Sequence, residues 1–236
     1  MIMLEGFKQR IHYARKLWLL QLARRLGGPR FVLALARLFY RLRIDGEANI
    51  PAQGGCLVAF NHVSTIADAL LFLVVQRRRP DANLFVQGLT GEVIAGLLEA
   101  LGLWQGQERM LLTDNRRTLA AAGLLHARQV LLDGGCVVIA PEGEFTWDGR
   151  LQSPLAAGAA WLALRSGSPI IPVVSQGGYD IQPVWQMEKT RLTGQIHIRA
   201  GQPLVLGAQS LERVTDAHIQ AANQRLWQAL AALLES

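Results

Sequence analysis

Short apolar runs bounded by turn residues divide the chain after residue 43 into alternating strands and helices. The runs at 56–60 and 136–140 contain no polar side chain, and Gly-Gly-Cys opens each of them. Continuous apolar runs of this length are typical of strands that are buried on both faces of a sheet. The same criteria predict further strands at 84–87, 110–113, 170–174 and 196–200, a short edge strand within 43–51, and helices over 66–77, 91–101, 116–132, 155–166 and 211–234. This alternation predicts an α/β fold, a single mixed sheet flanked by helices.

The first 43 residues have a different pattern. Apolar residues recur there at intervals of three, four or seven: Leu4, Phe7, Ile11, Trp18 and Leu22. This spacing predicts an amphipathic helix. Gly27-Gly28-Pro29 ends it, and a second apolar helix is predicted over 30–41. We therefore divide the chain into a two-helix arm, residues 1–43, and an α/β domain, residues 44–236.

Charge changes the interpretation of this arm. It holds ten Lys or Arg residues against Glu5 alone, a net charge of +9, so the total of +6 leaves −3 for the other 193 residues. A basic arm rich in Trp, Phe and Leu favours an interfacial anchor on an anionic membrane. The alternative is a basic helical hairpin packed on its own domain. Nucleic acid is disfavoured as a partner, because no binding motif accompanies the charge.

Candidate chemistry follows the two uninterrupted apolar runs. Asn61-His62 comes directly after the first run with Asp68 six residues beyond His62, and Pro141-Glu142-Gly143 follows the second. A histidine at a strand end is suited to act as a general base, and a carboxylate can fix its tautomer and stabilise the imidazolium. We expect the chemistry to lie in these two loops.

The spacing between His62 and Asp68 restricts how they can meet. Partners six residues apart on a helix lie about 120° apart around its axis, so pairing requires His62 in the loop before the helix. A different role for Asp68 stays open. With Thr65 as N-cap, Asp68 would be the third helical residue and could complete a capping box.

Other features mainly restrict the class of protein. Cys56 and Cys136 are predicted to be free buried thiols, and Arg77-Arg78-Arg79 a solvated polar turn. No apolar stretch reaches the ~18 residues that span a bilayer, and no secretory signal is present. We therefore expect a peripheral or monotopic protein on the cytoplasmic face of a membrane. The remaining histidines lack metal-ligand spacing, so no metal site is predicted.

Four motifs in order resemble the glycerolipid acyltransferases of the lysophosphatidic acid acyltransferase type. They are Asn61-His62 with Asp68, Pro141-Glu142-Gly143, Ile170-Ile171-Pro172-Val173-Val174, and the strand that leads to Gly201-Gln202-Pro203. The arm is similar to that family's two-helix amino-terminal membrane anchor. The resemblance implies acyl transfer from an acyl thioester, on CoA or acyl carrier protein, to a lysolipid hydroxyl of the 1-acylglycerol-3-phosphate type. No cofactor is implied beyond that co-substrate.

The resemblance also assigns site residues. His62 would be the base and Asp68 its orienting partner. Substrate contacts would come from Asn61, Ser64, Arg116, Arg117, Pro141, Glu142, Gly143 and Arg150. Backbone amides of loop 62–65 could stabilise the oxyanion. No covalent acyl-enzyme is expected, because the chain has no Gly-x-Ser-x-Gly motif.

The chain departs from the family's pattern in three places. Five residues instead of four separate His62 from Asp68. A family Asp-Arg-x-x-Arg motif is aligned at Asp114, and of its two arginines we assign only Arg117, which stands one position early. Glu144-Phe145 stands where the family often has Thr-Arg. Arg116, Arg117 and Arg150 could replace the missing guanidinium groups, or the acceptor could lack a phosphate monoester, as in a glycolipid, an amino-acid lipid or a neutral alcohol. An acyl-thioester hydrolase and a catalytically decayed membrane-binding protein are the competing hypotheses.

Overall fold

The computed structural model describes residues 29–87, 110–113, 117–207 and 213–235. The predicted first helix of the arm, the predicted helix over 91–101 and Arg116 lie outside the described residues.

The described residues form one seven-stranded sheet. Its strands are β1 (Arg43–Asp45), β2 (Cys56–Phe60), β3 (Asn83–Gln87), β4 (Met110–Thr113), β5 (Cys136–Ile139), β6 (Ile170–Gln176) and β7 (His197–Ala200). Their spatial order is β1-β7-β6-β2-β5-β3-β4. All neighbouring strands are parallel except β6 and β7, which run antiparallel. The predicted single mixed sheet is therefore confirmed for this part of the chain.

Helices cover both faces of the sheet. They are α1 (Pro29–Phe39), α2 (Thr65–Arg78), α3 (Arg117–Leu132), α4 (Ala157–Ser166), the single turn α5 (Gly178–Ile181) and α6 (Asp216–Glu235). Two 3₁₀ turns, Glu47–Asn49 and Val184–Lys189, lie between them. Apart from α5 and these turns, each element was predicted within a few residues of its bounds.

Side chains of β2 alternate between two cores. Val58 and Phe60 belong to the core under α1 and α2, whereas Leu57 and Ala59 belong to the core under α3, α4 and α6. All five residues of β2 are buried. Burial on both faces explains why this strand has a continuous apolar run instead of alternation.

The described part of the arm packs on the domain. Leu33 and Ala36 of α1 are buried in the core that contains α2. Leu38 and Phe39, at the end of the same helix, are exposed. No helix in the described ranges combines the length and the hydropathy needed to cross a bilayer. The proposed division of the chain at residue 43 stays a prediction.

Arg79 corrects the expectation of a solvated arginine turn. Its side chain is buried at the amino edge of the sheet and pairs with Asp81 at 2.7 Å. The guanidinium also donates to the carbonyls of Gly54 at 2.7 Å and Gly134 at 2.9 Å. One buried cation thus ties together the two Gly-Gly-Cys strand openings. Cys56 and Cys136, paired across β2 and β5, are free and buried as predicted.

Candidate active site

The two predicted loops meet at one edge of the sheet. β2 and β5 are adjacent and parallel, with Ala59 paired to Ile139, so both strands end at the same edge. Loop 61–64 and Pro141-Glu142-Gly143 therefore begin side by side. Crevices at the carboxyl ends of parallel strands are common ligand sites in α/β sheets.

His62 and Asp68 form a close pair. His62 lies in the loop before α2, and its Nδ1 is 2.6 Å from Asp68 Oδ2. The extra residue between them is absorbed by this loop, as the spacing argument required. The side chains are 21% and 13% exposed, so the pair lies at the surface of the core and is largely shielded from water.

The capping-box alternative for Asp68 was wrong. Ser64, not Thr65, is the N-cap of α2, and its Oγ accepts a hydrogen bond from the Ala67 amide at 3.4 Å. Asp68 is therefore the fourth helical residue, whereas a capping box uses the third. Its side chain contacts the imidazole of His62 instead.

Glu142 fixes the backbone on both sides of the site. Its Oε1 accepts a hydrogen bond from the His62 amide at 2.6 Å, and its Oε2 accepts one from the Gln152 amide at 2.7 Å. The Thr146 amide donates to the His62 carbonyl at 2.9 Å. These bonds give Glu142 a positioning role, and they remove the His62 amide from the expected oxyanion donors.

Burial dominates the electrostatics of both acidic groups. It raises the pKa of Asp68, whereas the charge and hydrogen bond of His62 and the nearby amides of Ser64 and Val63 lower it. Asp68 Oδ1 is buried without a hydrogen-bond partner among the described residues. Burial likewise raises the pKa of Glu142, against the lowering effect of the two amides that it accepts. The site therefore holds two carboxyl groups whose ionisation the fold disfavours.

Aromatic rings surround the imidazole. Phe145 stacks on His62 with ring centroids 3.5 Å apart and an angle of 23° between the planes. Phe60 meets His62 edge-on at 5.8 Å. Packing of this kind restricts the rotamers of His62, so its base nitrogen is presented in a fixed direction.

Comparison with known proteins shows the family and the fold of the chain. The model of the Acyltransferase family matches residues 41–176, more than half of the chain. The chain belongs to the Acyltransferase family. The solved structure of PlsC, the 1-acyl-sn-glycerophosphate acyltransferase from Thermotoga maritima, superimposes with a TM-score of 0.62 at 19% identity. It covers 95% of this chain and 83% of that one. The predicted resemblance is confirmed: the protein is an acyltransferase and has the fold of that enzyme.

Two of the predicted substrate-contact residues of this acyltransferase have hydrogen-bond partners within the protein. Asn61 is buried, and its carboxamide donates to the Ser175 carbonyl at 3.1 Å and accepts from the Ser175 amide at 2.8 Å. Ser64 is buried as the N-cap of α2. Both side chains join the His62 loop to its surroundings, which favours positioning over the predicted contact with substrate.

The other predicted contact residues lie in different settings. Pro141 is buried, and its carbonyl accepts from the Ala156 amide at 2.7 Å. Gly143 is exposed in the left-handed region, with φ of 80°. Arg150 is 87% exposed, with its Nε 4.0 Å from Asp148. Arg117 begins α3, but its side chain, like Arg116, lies outside what the structure describes.

Sequence reasoning missed three residues that hold the segments carrying His62 and Asp68, a pair that we refer to as the dyad. The Gln182 side chain accepts from the Ile66 amide at 3.1 Å and from Ser64 Oγ at 3.3 Å. Thr146, fully buried, holds the His62 carbonyl. Gly178 packs against α2 so closely that an added Cβ would be 2.5 Å from the Cβ of Ala67. No local signal in the sequence would have found them, because the contacts depend on tertiary packing.

Proposed function

We propose that this acyltransferase moves a fatty acyl group from acyl-CoA or acyl carrier protein directly to the hydroxyl of a lysolipid in membrane lipid synthesis. The observation that carries the proposal is the 2.6 Å contact between His62 Nδ1 and Asp68 Oδ2. When Nδ1–H donates to the carboxylate, Nε2 has the free lone pair of a base. No group of the described residues is hydrogen-bonded to Nε2.

The proposed step is a direct displacement at the thioester. His62 Nε2 takes the hydroxyl proton while the acceptor oxygen attacks the carbonyl carbon. A carbon–oxygen bond forms, the carbon–sulfur bond breaks, and the proton leaves with the thiolate. Asp68 stabilises the imidazolium that exists between these events. Phe145 and the hydrogen bond from the His62 amide to Glu142 hold the imidazole in place.

The surroundings of His62 favour an acceptor without a phosphate monoester over the lysophosphatidic acid type. A phosphate monoester carries almost two negative charges at neutral pH. The loop after Glu142 offers it the acid Glu144 and the ring of Phe145, and the loop's one arginine, Arg150, is 87% exposed beside Asp148. This loop therefore offers no buried cation to a phosphate near the imidazole. Arg116 and Arg117 are the remaining candidates for the phosphate-bearing alternative.

A thiol-release assay tests both levels of the proposal. The donor, acyl-CoA or acyl carrier protein loaded with an acyl group, is supplied alone, with lysophosphatidic acid, or with a monoacylglycerol of the same acyl chain. The two acceptors differ only by the phosphate. Acceptor-dependent release supports transfer, and faster release with the monoacylglycerol supports the acceptor assignment. Release without acceptor would instead support a hydrolase, and no release under any condition would support a decayed enzyme.

We propose further that the protein lies on the cytoplasmic face of a membrane, held by its basic amino-terminal arm. The apolar and basic pattern of residues 1–43 supports this placement. Because Leu33 and Ala36 belong to the core, a clean test deletes residues 1–28 only. The deletion should weaken co-sedimentation with anionic vesicles, and unchanged binding would contradict the anchor.

A further inference from the structure

We propose that the membrane contact extends beyond the amino-terminal arm to Arg191 and Leu192, on a surface that these two residues form with the end of the arm: Arg37, Leu38, Phe39 and Arg41. We refer to it as the Leu192 surface. Leu192 is 81% exposed and Leu38 72% exposed, which makes them the two most exposed large apolar side chains among the described residues. Single exposed leucines are common on protein surfaces, so the inference depends on the two backbone segments being joined and on the charge around them.

Backbone hydrogen bonds hold the two parts of this surface together. The Gly194 amide donates to the Phe39 carbonyl at 3.2 Å, and the Ile196 amide donates to the Tyr40 carbonyl at 2.9 Å. The loop that carries Leu192 is therefore fastened to the end of α1, where Leu38 and Phe39 are exposed. Exposed apolar residues more than 150 positions apart in sequence thus lie on adjoining segments, and they make up the apolar part of the Leu192 surface.

The charge around the patch is positive. Arg37, Arg41 and Arg191 are exposed, and none of them forms an ion pair with a carboxylate of the described residues. The adjacent polar cavity contains one acid, Asp180, together with Arg191. Exposed leucine and phenylalanine beside arginines favour the interface of an anionic bilayer, since the apolar groups insert and the cations bind lipid phosphates.

The position of the surface gives it a role in the proposed reaction. β2 and β6 end, and β7 begins, at the sheet edge where His62 lies. The segment between α5 and β7 carries both Leu192 and Trp185, and Trp185 stacks on Trp147 at 3.7 Å and donates to the Thr146 carbonyl at 3.1 Å. A bilayer on the Leu192 surface would therefore lie beside the entrance to the site, where a lysolipid acceptor is dissolved. This inference rests on the proposed lipid acceptor.

A fluorescent label placed at Leu192 tests the contact directly. The native thiols Cys56 and Cys136 are buried, so Leu192→Cys in the full chain can be labelled selectively with an environment-sensitive dye. Leu125→Cys is the matched control, because Leu125 is 60% exposed on α3, which packs on the opposite face of the sheet. Vesicles of phosphatidylglycerol and phosphatidylcholine should shift the emission of the label at 192 to the blue and leave the label at 125 unchanged.

Three results would overturn the proposal. Equal responses at 192 and 125 would show that the Leu192 surface does not enter the bilayer. A label at 192 that is already blue-shifted without vesicles, independently of protein concentration, would show that another segment of the chain covers it. A blue shift that grows with protein concentration in the absence of vesicles would show that a second copy covers it.

Vesicle partitioning gives an independent measurement. Leu192→Glu should lower the partition coefficient by about tenfold, the effect of losing the partial burial of one leucine, whereas Leu125→Glu should leave it unchanged. Equal partitioning of the two variants would contradict the proposal. Acceptor-dependent thiol release in detergent micelles should remain normal in Leu192→Glu. Failure of the surface and failure of the proposed reaction are therefore distinguishable.

Discussion

Replacing Asp68 by asparagine tests how the dyad works with the smallest change in shape. The carboxamide occupies the volume of the carboxylate that lies 2.6 Å from His62 Nδ1. It carries no charge to stabilise an imidazolium. In one of its two orientations its NH₂ group donates to Nδ1, which places the imidazole proton on Nε2 and abolishes the base. Binding of the substrates should be preserved, because Asp68 is placed to act through His62.

The expected size of the effect follows from the geometry. A hydrogen bond to a charged group contributes about 1.5–3 kcal/mol, and two unit charges ~4 Å apart interact by about 4 kcal/mol at an effective dielectric constant of 20. These contributions overlap, and the amide keeps part of the hydrogen bond in its favourable orientation. We expect a loss of about 3–4 kcal/mol of transition-state stabilisation, which lowers kcat roughly 100- to 1000-fold.

The assay is acceptor-dependent thiol release, with kcat and KM measured separately. Asp45→Asn provides the control, because Asp45 Oδ2 pairs with His197 Nε2 at 2.5 Å between β1 and β7, and β6 separates those two strands from β2. That variant removes a similar pair and should keep the kcat of the parent enzyme. A kcat for Asp68→Asn within about threefold of the parent would refute the reasoning, and so would an equal loss in the control.

Three other predictions concern the same site. Because burial raises the pKa of Asp68, ionisation disfavours the folded state; stability present below the unfolded value of ~3.9 is lost as pH rises through the folded pKa. The free energy of unfolding, measured by urea titration, should therefore rise in Asp68→Asn relative to the parent as the pH increases. A difference between the two proteins that does not change with pH would contradict this. Glu142→Gln can accept from only one of two amides, so kcat should fall about 10- to 100-fold; a loss confined to the acceptor KM would indicate substrate contact instead. Phe145→Arg should raise kcat/KM for lysophosphatidic acid relative to monoacylglycerol, whereas the uncharged control Phe145→Leu should not; an unchanged ratio in the arginine variant would rule out the electrostatic explanation.

The central strands could be predicted because of where they lie. β2, β5 and β6 are covered on both faces, so their sequences are nearly continuous apolar runs with turn residues at each end. The meeting of the His62 and Glu142 loops followed from the same pattern, since parallel strands end at one edge. The antiparallel pairing of β6 and β7 left no such signal, because it depends on the path of the chain between them.

The internal support of the site could not be predicted. Gln182 reaches the start of α2 across 116 positions of sequence, and Asn61 reaches Ser175 across 114. Nothing local in the sequence distinguishes these polar residues from residues that contact a substrate. Arg79 was misjudged for a related reason: a run of three arginines is usually solvated, but the carbonyls of two distant strand openings surround this one. Long-range hydrogen bonds determine these roles, and composition does not reveal them.

The most direct test of the account is acceptor-dependent thiol release by His62→Ala, measured beside co-sedimentation with anionic vesicles. His62 lies in a loop outside α2 and its side chain is partly exposed, so the variant should fold and bind vesicles as the parent does. We predict that vesicle binding is retained and that acceptor-dependent release falls to background. Acceptor-dependent turnover near the parent rate in this variant would show that His62 is not the base.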